Sequence, residues 1–169
     1  AIKKLFRVEK DAEITLEANP DSVTVQSLKA LRRAGFNRIS IGLQSACPEE
    51  LSDIHRPHSV QQGDAAVAAA RAAKLQNLSL DLIYGLPGQS EESWHATVEH
   101  ALSLNPEHLS CYGLKVEDGT PLAARVGRGE VLPDDDTQAE MYLWTVERLK
   151  QAGYEQYEIS NFAKTGYES

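Results

Sequence analysis

Apolar residues recur along the chain in two rhythms. Short apolar or alternating runs from Glu13 to Glu17, Arg38 to Gln44, around Leu80 to Ile83, and His108 to Leu114 predict strands. Between them the apolar positions fall three and four apart, which predicts helices. Thr24 caps a helix with Leu28, Leu31 and Ala34 on one face, and Gly35 stops it. Pro48 suits the first turn of a short helix holding Leu51 and Ile54. Ser59 and Gln62 form a capping-box signature for an alanine-rich helix to about Ala73. Ser90 caps a helix whose stripe is Trp94, Val98, Ala101 and Leu102, closed by Asn105-Pro106. After the Gly119-Thr120-Pro121 turn and a polar connection, Asp134 to Asp136 opens a helix carrying Ala139, Tyr142, Val146 and Leu149. That helix ends at Gly153, and Glu155 to Ile159 reads as a last strand.

Strand and helix thus alternate four times, with connections too long for hairpins, which implies parallel strands joined by right-handed crossovers. An α/β fold follows, as an open doubly wound sheet or a (β/α) barrel. The strand starts share no fixed spacing, so a solenoid is excluded. The segment from Ser79 to Gln89 is the most complete strand-to-turn unit. Its Leu80, Leu82 and Ile83 suit a strand covered on both faces. Asp81 inside it calls for a ligand, a cation or several donors, because a buried carboxylate is costly without partners.

Composition narrows the classes. The 169 residues, 41% apolar, suffice for one core of ordinary size. No apolar run approaches the roughly 18 residues of a membrane span, and the opening lacks a signal peptide's apolar stretch, so a cytoplasmic location is expected. The net charge of −8 argues against a nucleic-acid partner. The two cysteines, Cys47 and Cys111, are too few for a disulfide framework. The chain opens without methionine in what reads as a helix tail and closes on Gly166-Tyr167-Glu168-Ser169 with no terminal element, so it reads as a fragment.

In either parallel architecture a ligand sits at the carboxyl ends of the strands. Glu17, Gln44, Asp81 and Lys115 lie at or near such ends, and Arg56 lies in the loop after the second strand. Two acids, an amide and a guanidinium suit a zwitterionic, hydroxyl-rich ligand. The carboxylates accept from hydroxyls or an ammonium, and Arg56 clamps a carboxylate. Each residue also has a plainer role available: Asp81 in a structural ion pair, Glu17 capping the turn after Pro20, Gln44 satisfying loop backbone. His55 and His58 read as loop histidines and Cys111 as core. Cys47 before Pro48 is a helix-start residue, where a thiol pKa can be lowered. Gly85-Leu86-Pro87-Gly88 lacks the lysine and hydroxyl of a phosphate loop.

Several motifs resemble a known family. They are Glu-Ala-Asn-Pro at 17–20, Arg-Ile-Ser-Ile-Gly-Leu-Gln-Ser at 38–45, Arg-Pro-His-Ser at 56–59 and Asp-Leu-Ile-Tyr-Gly-Leu-Pro-Gly-Gln at 81–89. Tyr112 with the Glu117-x-Gly-Thr-Pro run, Tyr-Glu-Ile-Ser-Asn-Phe-Ala at 157–163 and the closing Gly-Tyr-Glu-Ser complete the series. Together they resemble the oxygen-independent coproporphyrinogen III oxidase family of radical S-adenosylmethionine (SAM) proteins, in family order from Glu13 onward.

The resemblance implies a partial, TIM-like (β/α) barrel of parallel strands, lacking its first strands. Residues 1–125 would form the truncated radical SAM core, and 126–169 would begin a family-specific C-terminal region. It also implies SAM contacts at Glu17, Gln44, Arg56 and Asp81, and by spacing at Lys115. Glu17 would hold ribose hydroxyls, and Arg56 and Asp81 the amino-acid or ribose groups. The C-terminal pattern looks like the HemW-type heme chaperone branch, which binds heme and hands it to acceptor proteins. The alternative branch is the oxidase, which acts on coproporphyrinogen III in porphyrin biosynthesis. A cofactor-free (β/α) binding or hydrolase domain is the reading from another class, with Glu17 and Asp81 as acid and base. The family holds a [4Fe-4S] cluster on Cys-x3-Cys-x2-Cys. This sequence lacks that motif, so the chain alone is expected to be inactive toward SAM. Heme or a porphyrinogen and heme-acceptor proteins are the expected partners, with peripheral membrane association of a longer parent left open.

Overall fold

The computed structural model describes residues 5–169, so the expected helix tail at the start falls mainly outside the described residues. Six strands form one sheet: β1 (Thr15–Ala18), β2 (Arg38–Gln44), β3 (Asn77–Tyr84), β4 (His108–Gly113), β5 (Glu155–Glu158) and β6 (Asn161–Ala163). The helices are α1 (Val25–Ala34), α2 (Pro48–Asp53), α3 (Val60–Ala72), α4 (Glu91–Ser103), α5 (Pro121–Val126) and α6 (Asp135–Gln151). A single 3₁₀ turn covers Pro20–Ser22.

The helix starts follow local chemistry. Thr24, Ser59 and Ser90 each accept from the backbone N–H three residues on and close a reciprocal capping box, with Ser27, Gln62 and Ser93 as partners. Asp134 caps α6 in the simpler way, accepting from the Thr137 N–H. Gly35, at φ 110°, ends α1 in the left-handed region, where its missing side chain avoids a clash.

Strands β1 to β4 are parallel neighbours in chain order, as an α/β barrel segment requires. The chain then departs from that pattern. β6 pairs antiparallel with β4, and β5 pairs antiparallel with β6. The expected last strand is therefore the outer half of a hairpin. The tight Ile159-Ser160 connection between them offers no apolar periodicity from which β6 could be read. Helix α5 sits where only a polar connection is expected. Thr120 caps it, accepting from the Ala123 N–H, and Pro121 starts it.

The core lies on one side of the sheet. Ile39, Ile41 and Leu43 of β2, Leu78, Leu80 and Leu82 of β3, and Leu109 and Cys111 of β4 pack with Ala66, Val67 and Ala70 of α3 and Trp94 and Val98 of α4. The alternate residues, Arg38, Ser40, Asp81, His108 and Ser110, line the opposite, concave face. β3 is thus apolar on one face rather than two, and this explains how Asp81 fits in it. Helix α6 contributes Met141, Thr145 and Leu149. Of the expected stripe, Leu149 is in the core and Val146 packs against it, whereas Ala139 is exposed and Tyr142 half-buried; Trp94 donates its indole N–H to Thr145 Oγ1 at 2.8 Å and draws the Met141–Thr145 face inward.

Candidate cofactor-binding site

The concave face encloses a cavity of about 510 Å³ lined by Glu17, Gln44 and Asp81, together with Arg38, Ser40, His108, Ser110, Tyr112, Tyr157 and Asn161 among others. Parallel register places the three expected residues there. Glu17 pairs with Ser40, and Gly42 with Asp81, so consecutive strands deliver their inward side chains to one wall.

Gln44 reaches the wall by an irregular route. Between Gly42 and Gln44 the register slips by one residue, which makes a bulge in β2. Gln44 itself has φ 66°, a conformation that disfavours a side chain. Its amide folds back over Gly42, where an added β-carbon would lie only 2.6 Å from Nε2.

Asp81 accepts from Ser40 Oγ at 2.8 Å. Burial pushes its carboxyl above the usual range. Hydrogen bonds from Ser40 and Ser110 and the charge of Arg38 work against that rise, while Glu17 adds to it. No lysine or arginine forms an ion pair with Asp81 among the described residues, so the structural-pair alternative fails. Glu17 does not cap the turn after Pro20: its N-cap is Asn19, without a side-chain bond.

The other two expected contacts sit elsewhere. Arg56 lines a neighbouring, more apolar cavity of about 270 Å³ with Leu86, Leu114 and Leu122, and Ile83 forms the wall common to both. The Arg56 Nη1 donates weakly to Asn19 Oδ1 at 3.5 Å. Lys115 lies outside both cavities, with its exposed ammonium 2.8 Å from Glu117. The four-residue convergence on one rim is thus three residues on one wall and a guanidinium behind the next.

Sequence reasoning passed over two groups. Arg38, His108 and Ser110 build the cavity floor, and the signal was the alternation of polar with apolar residues in β2 and β4. Glu50, in the first turn of α2, reads as a solvated acid yet is only 5% exposed. It accepts from Ser45 Oγ at 2.5 Å, Gln89 Nε2 at 2.9 Å and Ser93 Oγ at 2.6 Å. Gln89 Oε1 in turn accepts from the backbone N–H of Gly85 and Leu86. One carboxylate therefore ties the loop after Gln44 to the turn after β3. Nothing in the sequence marks it.

His108 is fully inside. Its Nδ1 is 2.7 Å from Ser79 Oγ and its Nε2 is 2.8 Å from Tyr157 Oη. Burial, with the nearby Arg38 charge, pushes its pKa down to about 4, so it is neutral at pH 7. His58, expected as a loop histidine, is buried and hydrogen-bonded through Nε2 to the Leu43 carbonyl. Cys111 lies in the core as expected. Cys47 starts α2 as expected, and burial raises its thiol pKa, so the lowering available at a helix start is not realised.

Residues 1–101 match the radical SAM superfamily. The chain belongs to that superfamily. It is 40% identical over 168 residues to the heme chaperone HemW of Mycobacterium tuberculosis, covering 99% of this chain and 43% of that protein. It is 43% identical over 158 residues to the heme chaperone HemW of Escherichia coli, covering 94% of this chain and 41% of that protein. The chain thus spans less than half the length of these curated relatives. Among solved structures it is similar to the radical SAM enzyme coproporphyrinogen III oxidase (HemN) of Escherichia coli, with a TM-score of 0.83 and 29% identity over 97% of this chain and 38% of that one. The mostly parallel sheet is the radical SAM barrel in partial form.

Superfamily membership implies SAM and a [4Fe-4S] cluster. The cavity's polar set is chemically compatible with SAM: two acids able to accept from hydroxyls or an ammonium and an amide that both donates and accepts. The cluster finds no matching donors here. Cys47 starts α2 with its thiol 3.1 Å from Glu49 Oε2, and Cys111 faces the core. Among the described residues, no group of three His, Cys, Asp or Glu is placed to hold a metal ion. No helix among them is long and apolar enough to cross a membrane.

Proposed function

We propose that this chain is the SAM-facing part of a HemW-like heme chaperone, acting in the cytoplasm. The protein binds SAM and a [4Fe-4S] cluster, takes up heme and transfers it to acceptor proteins. In it, residues 1–125 serve as the SAM-facing core and 126–169 begin the family-specific region. The reading is carried by the gathering of Glu17, Gln44 and Asp81 around one 510 Å³ cavity. Glu17 accepts from ribose hydroxyls, Gln44 offers both a donor and an acceptor, and Asp81 holds the cationic end. Arg56 closes on the ligand's carboxylate from the adjoining cavity, and Lys115 contributes through its backbone.

The chaperone branch is supported by 40% identity over nearly the whole chain to HemW. The oxidase reading draws on the close backbone similarity to HemN, at lower identity. Heme titration of the full-length protein, followed by absorbance, tests the first. Anaerobic incubation with coproporphyrinogen III tests the second. Heme binding without protoporphyrinogen formation is the expected result, and protoporphyrinogen formation moves the protein to the oxidase branch.

A further inference from the structure

We propose that the floor of the cavity is a carboxylate-binding subsite centred on Arg38. Arg38 opens β2, at the opposite end of that strand from Gln44, and its residue is only 6% exposed. Its Nε is buried without a hydrogen-bond partner among the described residues. Glu13 Oε2 forms a long ion pair with it at 3.8 Å, which balances part of the charge but is too far for a hydrogen bond. The other Glu13 oxygen already accepts from Thr15 Oγ1 and Ser169 Oγ, both at 2.8 Å. Asp81 is committed to Ser40. A buried N–H left without an acceptor is costly, and the planar fork of the guanidinium matches a carboxylate with two parallel bonds.

The surroundings select the ligand class. Glu17 and Asp81 make the upper wall acidic, so a free anion is repelled from that end. A carboxylate at Arg38 is held most firmly as one arm of a larger molecule whose body fills the polar space lined by Ser110, Tyr112 and Asn161, while a small free carboxylate binds there weakly. Neutral His108 adds no competing charge at pH 7. Under the chaperone reading, on which this identification rests, that arm is a propionate of the tetrapyrrole. The cavity is then polarised, with a cationic ligand held at the acidic wall and a carboxylate held below it.

The test uses the full-length protein and sodium propionate at 50 mM, against matched sodium chloride. Propionate should raise the melting temperature by about 2–4 °C, as a ligand of millimolar affinity does. Arg38→Met should lose the rise, and Arg38→Lys should keep part of it. Neutral propionamide on the unaltered protein needs no folded variant, and it should give no rise. An equal rise with propionamide, no rise with propionate, or a rise retained in Arg38→Met overturns the subsite. If propionate acts through Arg38 but the protein does not bind heme, the subsite stands and the chaperone reading fails.

Discussion

The side-chain amide of Gln44 occupies the space over Gly42, with Nε2 2.6 Å from where a β-carbon on Gly42 would stand. The glycine and the bulge after it hold one of the three cavity residues in place. Gly42→Ala should therefore push the amide off the wall. The displaced atom is the far end of a flexible side chain, so the stability loss should stay below about 1 kcal/mol. SAM affinity of the full-length protein, measured by calorimetry, should fall about tenfold, a loss of about 1.4 kcal/mol. Unchanged affinity would show that Gln44 does not touch the ligand.

Asp81 should trade stability for binding. Burial raises its carboxyl above the ordinary 3.8, so the folded state holds the proton more tightly than the unfolded state. Stability contributed by this group therefore declines as pH rises from 3.8 through the folded value, and stays reduced at pH 7. Asp81→Asn removes that decline. Melting curves from pH 4 to 7 should show the variant gaining on the native protein as pH rises, while SAM affinity drops.

His108 gives the opposite slope. Its folded pKa of about 4 lies below the ordinary 6.5, so the unfolded chain takes up a proton first as pH falls. Stability is fully present above 6.5 and is lost between 6.5 and about 4, by on the order of 3 kcal/mol. His108→Gln, which keeps hydrogen-bonding capacity toward Ser79 and Tyr157, should flatten denaturant midpoints across that window. A slope unchanged from the native protein would place the titration elsewhere.

Glu50→Ala leaves Ser45, Gln89 and Ser93 without their shared acceptor in a closed space. We expect a loss of about 2–4 kcal/mol in urea unfolding. Glu50→Gln should lose less, because an amide oxygen still accepts. If the two substitutions cost the same, the carboxylate's hydrogen bonds are not what holds these loops.

Much of the fold could be read from local signals. Thr24, Ser59, Ser90 and Asp134 cap helices through contacts three residues away, and Gly35 ends one by its own backbone freedom, so short windows of sequence contain the cause. The parallel order of β1 to β4 follows from the length of the crossovers between them. β5 was expected, but its hairpin partner β6 and helix α5 escaped notice, because their stabilising partners, β4 and the capping Thr120, act without an apolar rhythm.

The sequence by itself determined which residues alternate and therefore which side chains leave each strand on the same face: Arg38 with Ser40, and His108 with Ser110. Tertiary structure decided that α3 and α4 cover the apolar face while the polar face closes around a cavity, since that depends on how distant segments pack. It also set Arg56 behind Ile83 rather than beside Asp81, left Lys115 in solvent, and buried Glu50 under three donors from separate loops. Those outcomes rest on contacts between residues tens of positions apart, and a one-dimensional pattern carries no information about such distances.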